Sequence, residues 1–199
     1  MSLKKNDREI IQEVLQGNTE LFRLLVQKYE RAVFNYVFRM VHQREEAEDL
    51  TQETFVKAFC ALRKYDSSYE FSTWIFRIAL NVCRDFFRRR KFAFLSLSQP
   101  VGEEGEEELE QLVEQSAFSD PDGAVLDKEM VLEMEKAIAR LPLKLREVIV
   151  LRHIENLSYE EIAKITGLPL GTVKTYLHRA RKKLKEWLQE YFGPDVSET

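Results

Sequence analysis

The stretch EEIAKITGLPLGTVKTYLHRARKKL, residues 160–184, decides the fold of the C-terminal part of this 199-residue chain. Its apolar residues recur every three or four positions on both sides of a Gly-Leu-Pro corner, which is typical of two short amphipathic helices that meet at a turn. Ser158 and Glu161 have the spacing of a capping box, and Gly167 supplies a left-handed turn that other residues adopt only at a cost. The pattern predicts a helix-turn-helix whose second helix runs over residues 171–191.

The two sides of this helix pair differ in chemistry. The inward side is apolar and comprises Ile162, Ala163, Ile165, Val173, Leu177, Ala180 and Leu184. The outward side of the second helix is polar and basic and comprises Thr172, Thr175, Tyr176, His178, Arg179, Lys182 and Lys183. In a major groove, the first residues of such a helix would reach base edges while its basic end neutralises phosphates. This geometry also occurs in domains that bind no DNA, but the basic run favours direct readout of a duplex.

Helical spacing also dominates the rest of the chain, apart from one segment. It predicts helices over residues 7–16, 19–42, 45–63, 73–90 and 124–140, and a further helix up to residue 155 with Pro142 at its first position. Residues 96–123 are instead rich in Ser, Gly, Pro and Glu, which predicts a flexible acidic linker. The predicted fold class is all-α, with two small four-helix domains at residues 1–95 and 124–199.

The net charge of −4 hides an uneven distribution along the chain. Residues 96–130 carry 11 acidic residues and 1 basic residue, whereas residues 1–95 carry 17 basic against 13 acidic and residues 131–199 carry 12 against 10. Local charge steers a polyanion, so both helical domains remain compatible with nucleic acid.

Composition argues against several classes of protein. No apolar run approaches the roughly 20 residues that a bilayer requires, and the N-terminus lacks the apolar centre of a secretory signal, so we expect a cytoplasmic protein without membrane insertion. Cys60 and Cys83 have no CxxC spacing and the three histidines are scattered, so we expect no disulfide, metal or cofactor. The sequence has no glycine-rich phosphate loop and no nucleophile beside a base, so we expect no enzyme activity.

The helix predicted over residues 45–63 has two unlike faces. Its core face comprises Ala47, Leu50, Thr54, Phe55, Ala58, Ala61 and Leu62. The opposite face, here named the acidic stripe, comprises Asp49, Gln52, Glu53, Val56 and Cys60. The pattern alone fits either a solvated surface or a docking surface for a basic partner helix.

The helix predicted over residues 73–90 carries aromatic, amide and guanidinium groups on one side. Ser72 is predicted as its N-cap, with Phe71 and Phe76 as a hydrophobic staple that pins the loop 65–71. The buried side comprises Ile75, Ile78, Ala79, Val82 and Phe86, and the other side, here named the basic stripe, comprises Trp74, Arg77, Asn81, Arg84, Asp85 and Arg88. Stacking platforms with nearby cations suit single-stranded nucleic acid, although basic helix ends are also common on solvated surfaces.

Three segments, in this order and spacing, resemble the bacterial extracytoplasmic-function sigma factors, which are specificity subunits of RNA polymerase. They are AEDLTQETFVKAF, FSTWIFRIALNVCRDFFRRRK and LPLKLREVIVLRHIENLSYEEIAKITGLPLGTVKTYLHRARKKL, with the acidic linker between the second and the third. The resemblance covers nearly the whole chain. The helix-turn-helix is the only segment shared widely with other families.

The resemblance implies a site for each segment. Asp49, Gln52, Glu53 and Val56 would bind the clamp helices of the largest catalytic polymerase subunit, and the C-terminal domain would bind the flap of the second-largest subunit. The minus-ten strand would be captured, after a base is flipped out, by Tyr65, Phe71, Trp74, Arg77, Asn81, Arg84, Arg88, Arg89 and Arg90. The minus-thirty-five duplex would be read by Thr172, Lys174, Thr175, Tyr176, His178, Arg179 and Lys182.

Further expectations follow from the same resemblance. The linker would thread toward the active-centre cleft and RNA exit channel, as an alternative to a soluble spacer, and an anti-sigma factor would sequester the free protein in a stress response. Tyr176 stands where the family often has arginine, and tyrosine cannot make the bidentate contact of arginine to guanine. The competing hypothesis is a conventional helix-turn-helix regulator that binds palindromic sites as a dimer without polymerase.

Overall fold

The computed structural model describes residues 6–96, 128–153 and 156–192, and within them the chain is helical without strands. The prediction of a flexible linker over residues 96–123 lies outside these residues, except for Ser96, which ends a helix. Two 3-10 turns, Thr19–Leu21 and Leu62–Lys64, supplement eight α-helices. The helices are α1 Asp7–Leu15, α2 Phe22–Val41, α3 Arg44–Ala61, α4 Phe71–Ser96, α5 Lys128–Arg140, α6 Leu143–His153, α7 Tyr159–Thr166 and α8 Leu170–Phe192.

Helix α1 is fixed at its start and along one side. Asn6 and Glu9 form a capping box, in which each side chain accepts from a backbone amide and satisfies the free donors of the first turn. The buried carboxylate of Asp7 accepts from the Tyr29 hydroxyl at 2.5 Å and from Lys28 Nζ at 2.6 Å. Burial and this bond to Asp7 raise the pKa of Tyr29 above its usual range. These contacts hold α1 on α2.

Helix α2 is the central helix of the first domain, as its apolar second half predicts. Val33, Tyr36, Phe38 and Met40 are completely buried, and the helix packs on α1, α3 and α4. Helix α2 ends at Val41 and is capped by His42, whose backbone is left-handed at φ 56° and whose amide donates to the Phe38 carbonyl at 2.7 Å. That reversal lets α3 return antiparallel against it.

The start of α4 lies two residues before the predicted one, at Phe71 instead of residue 73. The helix begins at Phe71, and the Trp74 amide donates to the Glu70 carbonyl at 3.3 Å, so Ser72 lies inside the first turn and is not the N-cap. The helix also continues past residue 90 to Ser96. Phe71 and Phe76 are buried, so apolar packing pins this helix start, and the serine side chain supplies no cap.

The second domain consists of α5 to α8, in the order that the periodicity predicts. Helix α6 begins at Leu143, so Pro142, its predicted first residue, lies one position before it and its carbonyl accepts the first helical hydrogen bonds. The capping box of α7 is confirmed: Ser158 accepts from the Glu161 amide at 3.2 Å and Glu161 accepts from the Ser158 amide at 2.7 Å. Gly167 ends α7 in the left-handed region at φ 73°, as predicted.

The two domains contact each other, which the sequence pattern did not predict. Helix α4 packs on α7, and α2 packs on α5 and α6. Charged side chains form the specific contacts: Arg39 donates to Glu135 at 2.8 Å, Arg84 donates to Glu147, and Arg146 donates to the Met40 carbonyl at 2.7 Å. The described residues of both domains therefore form one packed arrangement.

Candidate polymerase and nucleic-acid interfaces

The acidic stripe lies on the solvent side of α3. Asp49, Gln52 and Cys60 are exposed, and Val56 is 62% exposed, while the predicted core face of the helix is buried except for Ala61, which is partly exposed. Phe59, which the sequence did not assign to the stripe, is 42% exposed and lies one turn beyond Val56. Carboxylates at one end and exposed apolar side chains at the other give this face the mixed chemistry of a protein-binding surface.

Glu53 lies at the edge of the stripe and already has cationic partners. Its carboxylate is 2.7 Å from Lys57 Nζ and 3.6 Å from an Arg89 guanidinium nitrogen. The hydrogen bond from Lys57, assisted by the charges of Lys57 and Arg89, lowers the pKa of Glu53. Glu53 therefore stays ionised, and a basic partner would compete with two local cations for it.

An aromatic cluster lies under the loop that precedes α4. The ring of Phe71 is 5.3 Å from Tyr29, 5.8 Å from Tyr65 and 5.6 Å from Trp74, measured between ring centroids. Tyr65 donates its hydroxyl to the Tyr69 carbonyl at 2.6 Å, which fixes the loop above the cluster. One of these ring pairs packs edge to face and the other two are tilted, and together they form a rigid base for the loop.

This cluster corrects one assignment to the minus-ten site. Phe71 is only 1% exposed, because the neighbouring aromatic rings and the helix core cover it, so it supports the surface and offers no face to a nucleotide base. Tyr65 and Trp74 are partly exposed and lie next to each other, with ring centroids 5.3 Å apart. The available stacking groups are therefore Tyr65 and Trp74, with Tyr69 exposed in the loop.

The basic stripe of α4 is exposed along most of its length. Arg77, Asn81 and Arg88 are exposed, as the helical spacing predicts. A guanidinium nitrogen of Arg88 is 2.9 Å from the Asp85 carboxylate, one turn away. The Arg88 side chain nevertheless remains 68% exposed and accessible. Arg90 donates to the Gln43 side chain at 3.3 Å and lies over the Phe86 ring.

Arg84 is the exception within the basic stripe. Its Nε and terminal nitrogen donate to the two carboxylate oxygens of Glu147 at 2.9 and 2.7 Å, a bidentate pair between α4 and α6. Glu147 is 3% exposed and Arg84 is 36% exposed. The hydrogen bonds to Glu147 raise the pKa of Arg84, so the guanidinium remains charged, but in this arrangement it faces the second domain.

The helix-turn-helix has the buried and exposed faces that its sequence predicts. Ile162, Ile165, Val173 and Leu177 are buried, while Ala163 is partly exposed. On the outward face, Lys174, Thr175, His178, Arg179, Lys182 and Lys183 are exposed and Thr172 is partly exposed. Since α8 presents its first turns and its basic run on the same side, the arrangement suits insertion of α8 into a major groove.

Tyr176 occupies a different environment from its polar neighbours. It is partly buried against the core and lines a groove of about 480 Å³ between α8 and the start of α6. Arg179, Lys182 and Lys144 line the same groove. The sequence pattern does not single out Lys144, because only the packing of α6 beside α8 brings this basic residue next to Tyr176.

Arg181 is another residue of α8 that the sequence left without a role. Its Nε donates to His153 Nε2 at 3.3 Å, and a terminal nitrogen donates to the Tyr159 hydroxyl at 3.2 Å. Burial, with the charges of Arg181 and Arg152, lowers the pKa of His153, so this imidazole remains an acceptor at neutral pH. Arg181 thus fixes α8 relative to α6 and α7.

The described ranges offer neither a membrane-spanning helix nor a metal-binding cluster. None of the helices there has the length and hydropathy to cross a bilayer. Over the same ranges, no cluster of three or more His, Cys, Asp or Glu side chains has the geometry to hold a metal ion.

Comparison with known proteins assigns both domains. Residues 25–93 match Sigma-70 region 2, and residues 132–184 match Sigma-70, region 4. The ECF RNA polymerase sigma factor SigW of Bacillus subtilis is 35% identical over 190 residues, which cover 96% of this chain and 98% of that protein. The RNA polymerase sigma-H factor of Pseudomonas aeruginosa is 33% identical over 95% of this chain and 97% of its own length.

Solved structures agree with this assignment. CnrH, solved in complex with the cytosolic domain of CnrY, matches 92% of this chain and 97% of its own with a TM-score of 0.66 and 28% identity. The sigma factor RpoE of Bartonella quintana, solved with the anti-sigma factor NepR, shares the fold with a TM-score of 0.62 over 89% of this chain and 98% of its own, at 23% identity. Sequence identity over nearly the whole length, together with both region matches, shows that the chain belongs to the ECF family of RNA polymerase sigma factors.

Proposed function

We propose that this sigma factor binds core RNA polymerase, recognises minus-thirty-five and minus-ten promoter elements, melts the promoter and so directs transcription initiation in an envelope or stress response. It acts in the cytoplasm, without a cofactor and without catalytic activity of its own. One observation carries the proposal: a single chain presents an exposed face of carboxylate and apolar side chains on α3, exposed aromatic, amide and guanidinium groups on α4, and an exposed basic face on α8.

Each domain has its own task in this proposal. Residues 1–95 bind polymerase and the minus-ten strand, residues 124–199 read the minus-thirty-five duplex, and residues 96–123 connect them as an acidic linker. The family matches over residues 25–93 and 132–184 support a division of this kind. Two separate contacts with promoter DNA then define both position and direction of transcription.

Polymerase binding is assigned to the acidic stripe. Asp49 and Gln52 are exposed, Glu53 is ionised, and Val56 adds exposed apolar area beside them. The clamp helices of the largest catalytic subunit would lie along this face, and the flap of the second-largest subunit would contact the C-terminal domain. Charges at the rim direct the approach, and the apolar end provides the area that is buried.

Replacing Asp49 and Glu53 with lysine tests this assignment. Asp49→Lys/Glu53→Lys reverses the charge of the stripe and should abolish co-purification with core polymerase while leaving helical circular dichroism unchanged. Glu20→Lys/Glu30→Lys makes the same charge change at exposed positions outside the stripe and should retain binding. Equal retention by both double variants would remove the stripe from the polymerase interface.

Strand capture is assigned to the exposed part of the basic stripe and the ring pair below the loop. Flipping a base costs a few kcal/mol, and stacking on an aromatic ring returns about 1–3 kcal/mol per base. Tyr65 and Trp74 supply the rings, Asn81 supplies an amide for a base edge, and Arg77 and Arg88 neutralise phosphates. Binding energy of this size melts a short segment without ATP.

Open-complex formation tests the melting role. Trp74→Ala and Asn81→Ala should each reduce permanganate reactivity of the minus-ten region more than they reduce closed-complex binding, because their contacts form only with the unpaired strand. Arg63→Ala, at an exposed cation outside the basic stripe, serves as the control. Normal footprints in both stripe variants would contradict the assignment.

Duplex readout is assigned to the outward face of α8. Thr172, Lys174, Thr175 and His178 lie on the first turns and would reach base edges, while Arg179 and Lys182 extend the basic run along the backbone. Tyr176 can stack or make a single hydrogen bond, so its contact differs from the bidentate contact of an arginine. Arg179→Ala should weaken promoter binding with a shallower salt dependence if the side chain neutralises a phosphate.

An anti-sigma factor is the further partner that we propose. CnrH was solved with the cytosolic domain of CnrY, and RpoE of Bartonella quintana with the anti-sigma factor NepR. The exposed apolar side chains Val56 and Phe59 offer such a partner the same surface that polymerase would use. A conventional regulator would need neither the acidic stripe nor the strand-binding stripe of the first domain.

A further inference from the structure

An exposed apolar tip begins the helix that is assigned to duplex readout. Pro169, Leu170 and Gly171 are all exposed, whereas the outward residues that follow them on α8 are polar or basic. Among the described residues of the second domain, Leu170 is the only large apolar side chain that is exposed. An apolar side chain cannot bind a phosphate or a polar base edge, so this tip suits a different kind of contact.

Gly171 is a glycine that the fold of the described chain does not require. It lies in the first turn of α8 and its φ is not left-handed. A Cβ placed on it would meet no atom within 4 Å outside its neighbours and its own helix backbone. Glycine is less favourable than alanine in a helix, and no packing within the chain explains its presence here. Gly171 therefore leaves a notch on the outward face, where another molecule can approach the backbone closely.

Thr175 lies one turn beyond the notch, and its hydroxyl hydrogen is already in use. The hydroxyl donates to the Gly171 carbonyl at 2.9 Å, so it has no hydrogen left for a base. An acceptor oxygen and a γ-methyl group remain for a partner. The first turn of α8 thus combines the notch at Gly171 with the apolar side chain of Leu170 and the methyl group of Thr175.

A thymine methyl group has the size and the chemistry that suit this first turn. Of the four standard bases, only thymine presents an apolar group in the major groove, and apolar side chains and threonine methyl groups are its usual partners. We propose that the notch at Gly171 receives the 5-methyl group of a thymine in the minus-thirty-five element, with Leu170 and Thr175 beside it. This inference rests on the proposed function, because it requires α8 to read a duplex. It adds Leu170 and Gly171, as specificity-determining residues, to the polar contacts of that helix.

Two single-methyl changes test the notch from both sides. Deoxyuridine in place of thymine removes the 5-methyl group and keeps the base pair, whereas Gly171→Ala adds one methyl group to the protein. Gly171→Ala should keep its helical circular dichroism and its urea midpoint should not fall, because the added Cβ meets no other part of the described chain. Leu170→Ala removes apolar area beside the notch, and Glu160→Ala, at an exposed position of α7, is the control.

The probe is a duplex that the holoenzyme, the full chain with core polymerase, selects from a library randomised over the minus-thirty-five positions. Competition binding compares this duplex with copies in which deoxyuridine replaces one thymine at a time. At one position the wild type should lose about fourfold in affinity, which corresponds to one buried methyl group. Leu170→Ala should respond more weakly to the same replacement, and Glu160→Ala should respond as the wild type does.

Gly171→Ala should show the reverse response at that position. Its methyl group and the thymine methyl group would occupy the same space, and overpacking of this kind should lower affinity for the thymine duplex by about tenfold. Deoxyuridine leaves room for the alanine methyl group, so most of this loss should be recovered. A substitution that merely disturbed α8 would weaken binding to both duplexes equally.

The outcomes separate this inference from the proposed function. Recovery of Gly171→Ala binding by deoxyuridine at one position supports the notch. A selected duplex without thymine, or one in which every thymine is replaced without loss, overturns the inference and leaves the proposed function standing. Wild-type affinity of Gly171→Ala, or an equal loss on both duplexes, does the same. A holoenzyme that selects no duplex overturns the proposed function, and the inference with it.

Discussion

The buried ion pair between Arg39 and Glu135 yields the sharpest prediction about stability. Their side chains are 2% and 4% exposed, and the second carboxylate oxygen of Glu135 has no hydrogen-bond partner among the described residues. Burial raises the pKa of Glu135 even though Arg39 opposes the shift. A pair satisfied this incompletely adds little net stability, but removal of Glu135 takes from the buried Arg39 guanidinium the carboxylate that its Nε contacts at 2.8 Å.

The effect of Glu135→Ala depends on whether the two domains stay packed or separate. If the domains stayed packed, loss of this carboxylate from beside the buried Arg39 would cost about 3–5 kcal/mol. Separation of the domains lets water reach Arg39, so the chain avoids most of this cost by opening. We expect Glu135→Ala to uncouple the domains while each domain keeps its own fold.

The two tryptophans allow this uncoupling to be measured. Trp74 reports on the first domain and Trp187 on the second, and the chain contains no others. In single-tryptophan chains made by Trp187→Phe or Trp74→Phe, urea unfolding should give coincident midpoints for the wild type and separate midpoints with Glu135→Ala. The double replacement Arg39→Met/Glu135→Leu should restore coincidence, because a packed apolar pair replaces the ions. Coincident midpoints with Glu135→Ala would refute the reasoning.

The remaining predictions concern local backbone and protonation. Gly167→Ala should destabilise the second domain by about 1–2 kcal/mol in urea unfolding, since a Cβ there meets no atom within 4 Å and the cost is purely that of φ 73°; Gly167→Asn should cost less. Ser158→Ala should cost about 1 kcal/mol through loss of the α7 cap, and a cost near zero would mean that the capping box is redundant. Burial, with Arg146 and Arg39 nearby, lowers the pKa of His42 to about 3. Unfolding free energy should therefore decrease as pH falls from about 6.5 toward 3, because only the unfolded chain binds the proton. His42→Asn, which suits the left-handed backbone, should flatten that part of the profile, and an unchanged slope would assign it to another group.

Local signals allowed most of the fold to be predicted. Capping residues such as Ser158 and the left-handed Gly167 set helix ends through contacts with residues close in sequence. The spacing of apolar residues likewise predicts a helix from one short segment alone. Within the residues that the structure describes, the predicted all-α class, the four-plus-four helices and the faces of α3 and α8 are therefore confirmed. The start of α4 was wrong because burial of Phe71 against other helices outweighed the cap preference of Ser72.

The candidate site was less predictable where it depends on contacts between distant segments. Spacing placed Arg84 on the basic stripe, but nothing in its neighbourhood in sequence indicates that Glu147, 63 residues away, would hold it. The same limit applies to Phe71, whose aromatic character suggests stacking until its packing is known. Lys144 joins the groove beside Tyr176 only through the tertiary arrangement of α6 and α8.

Run-off transcription of a genomic DNA pool with purified core polymerase tests the central claim most directly. With the wild-type chain present, we predict transcripts from a limited set of promoters that share a minus-ten and a minus-thirty-five element. Permanganate reactivity should appear at the minus-ten element without ATP hydrolysis, and Asp49→Lys/Glu53→Lys should abolish both signals. Binding to palindromic sites in the absence of polymerase, with no new transcripts in its presence, would contradict the account.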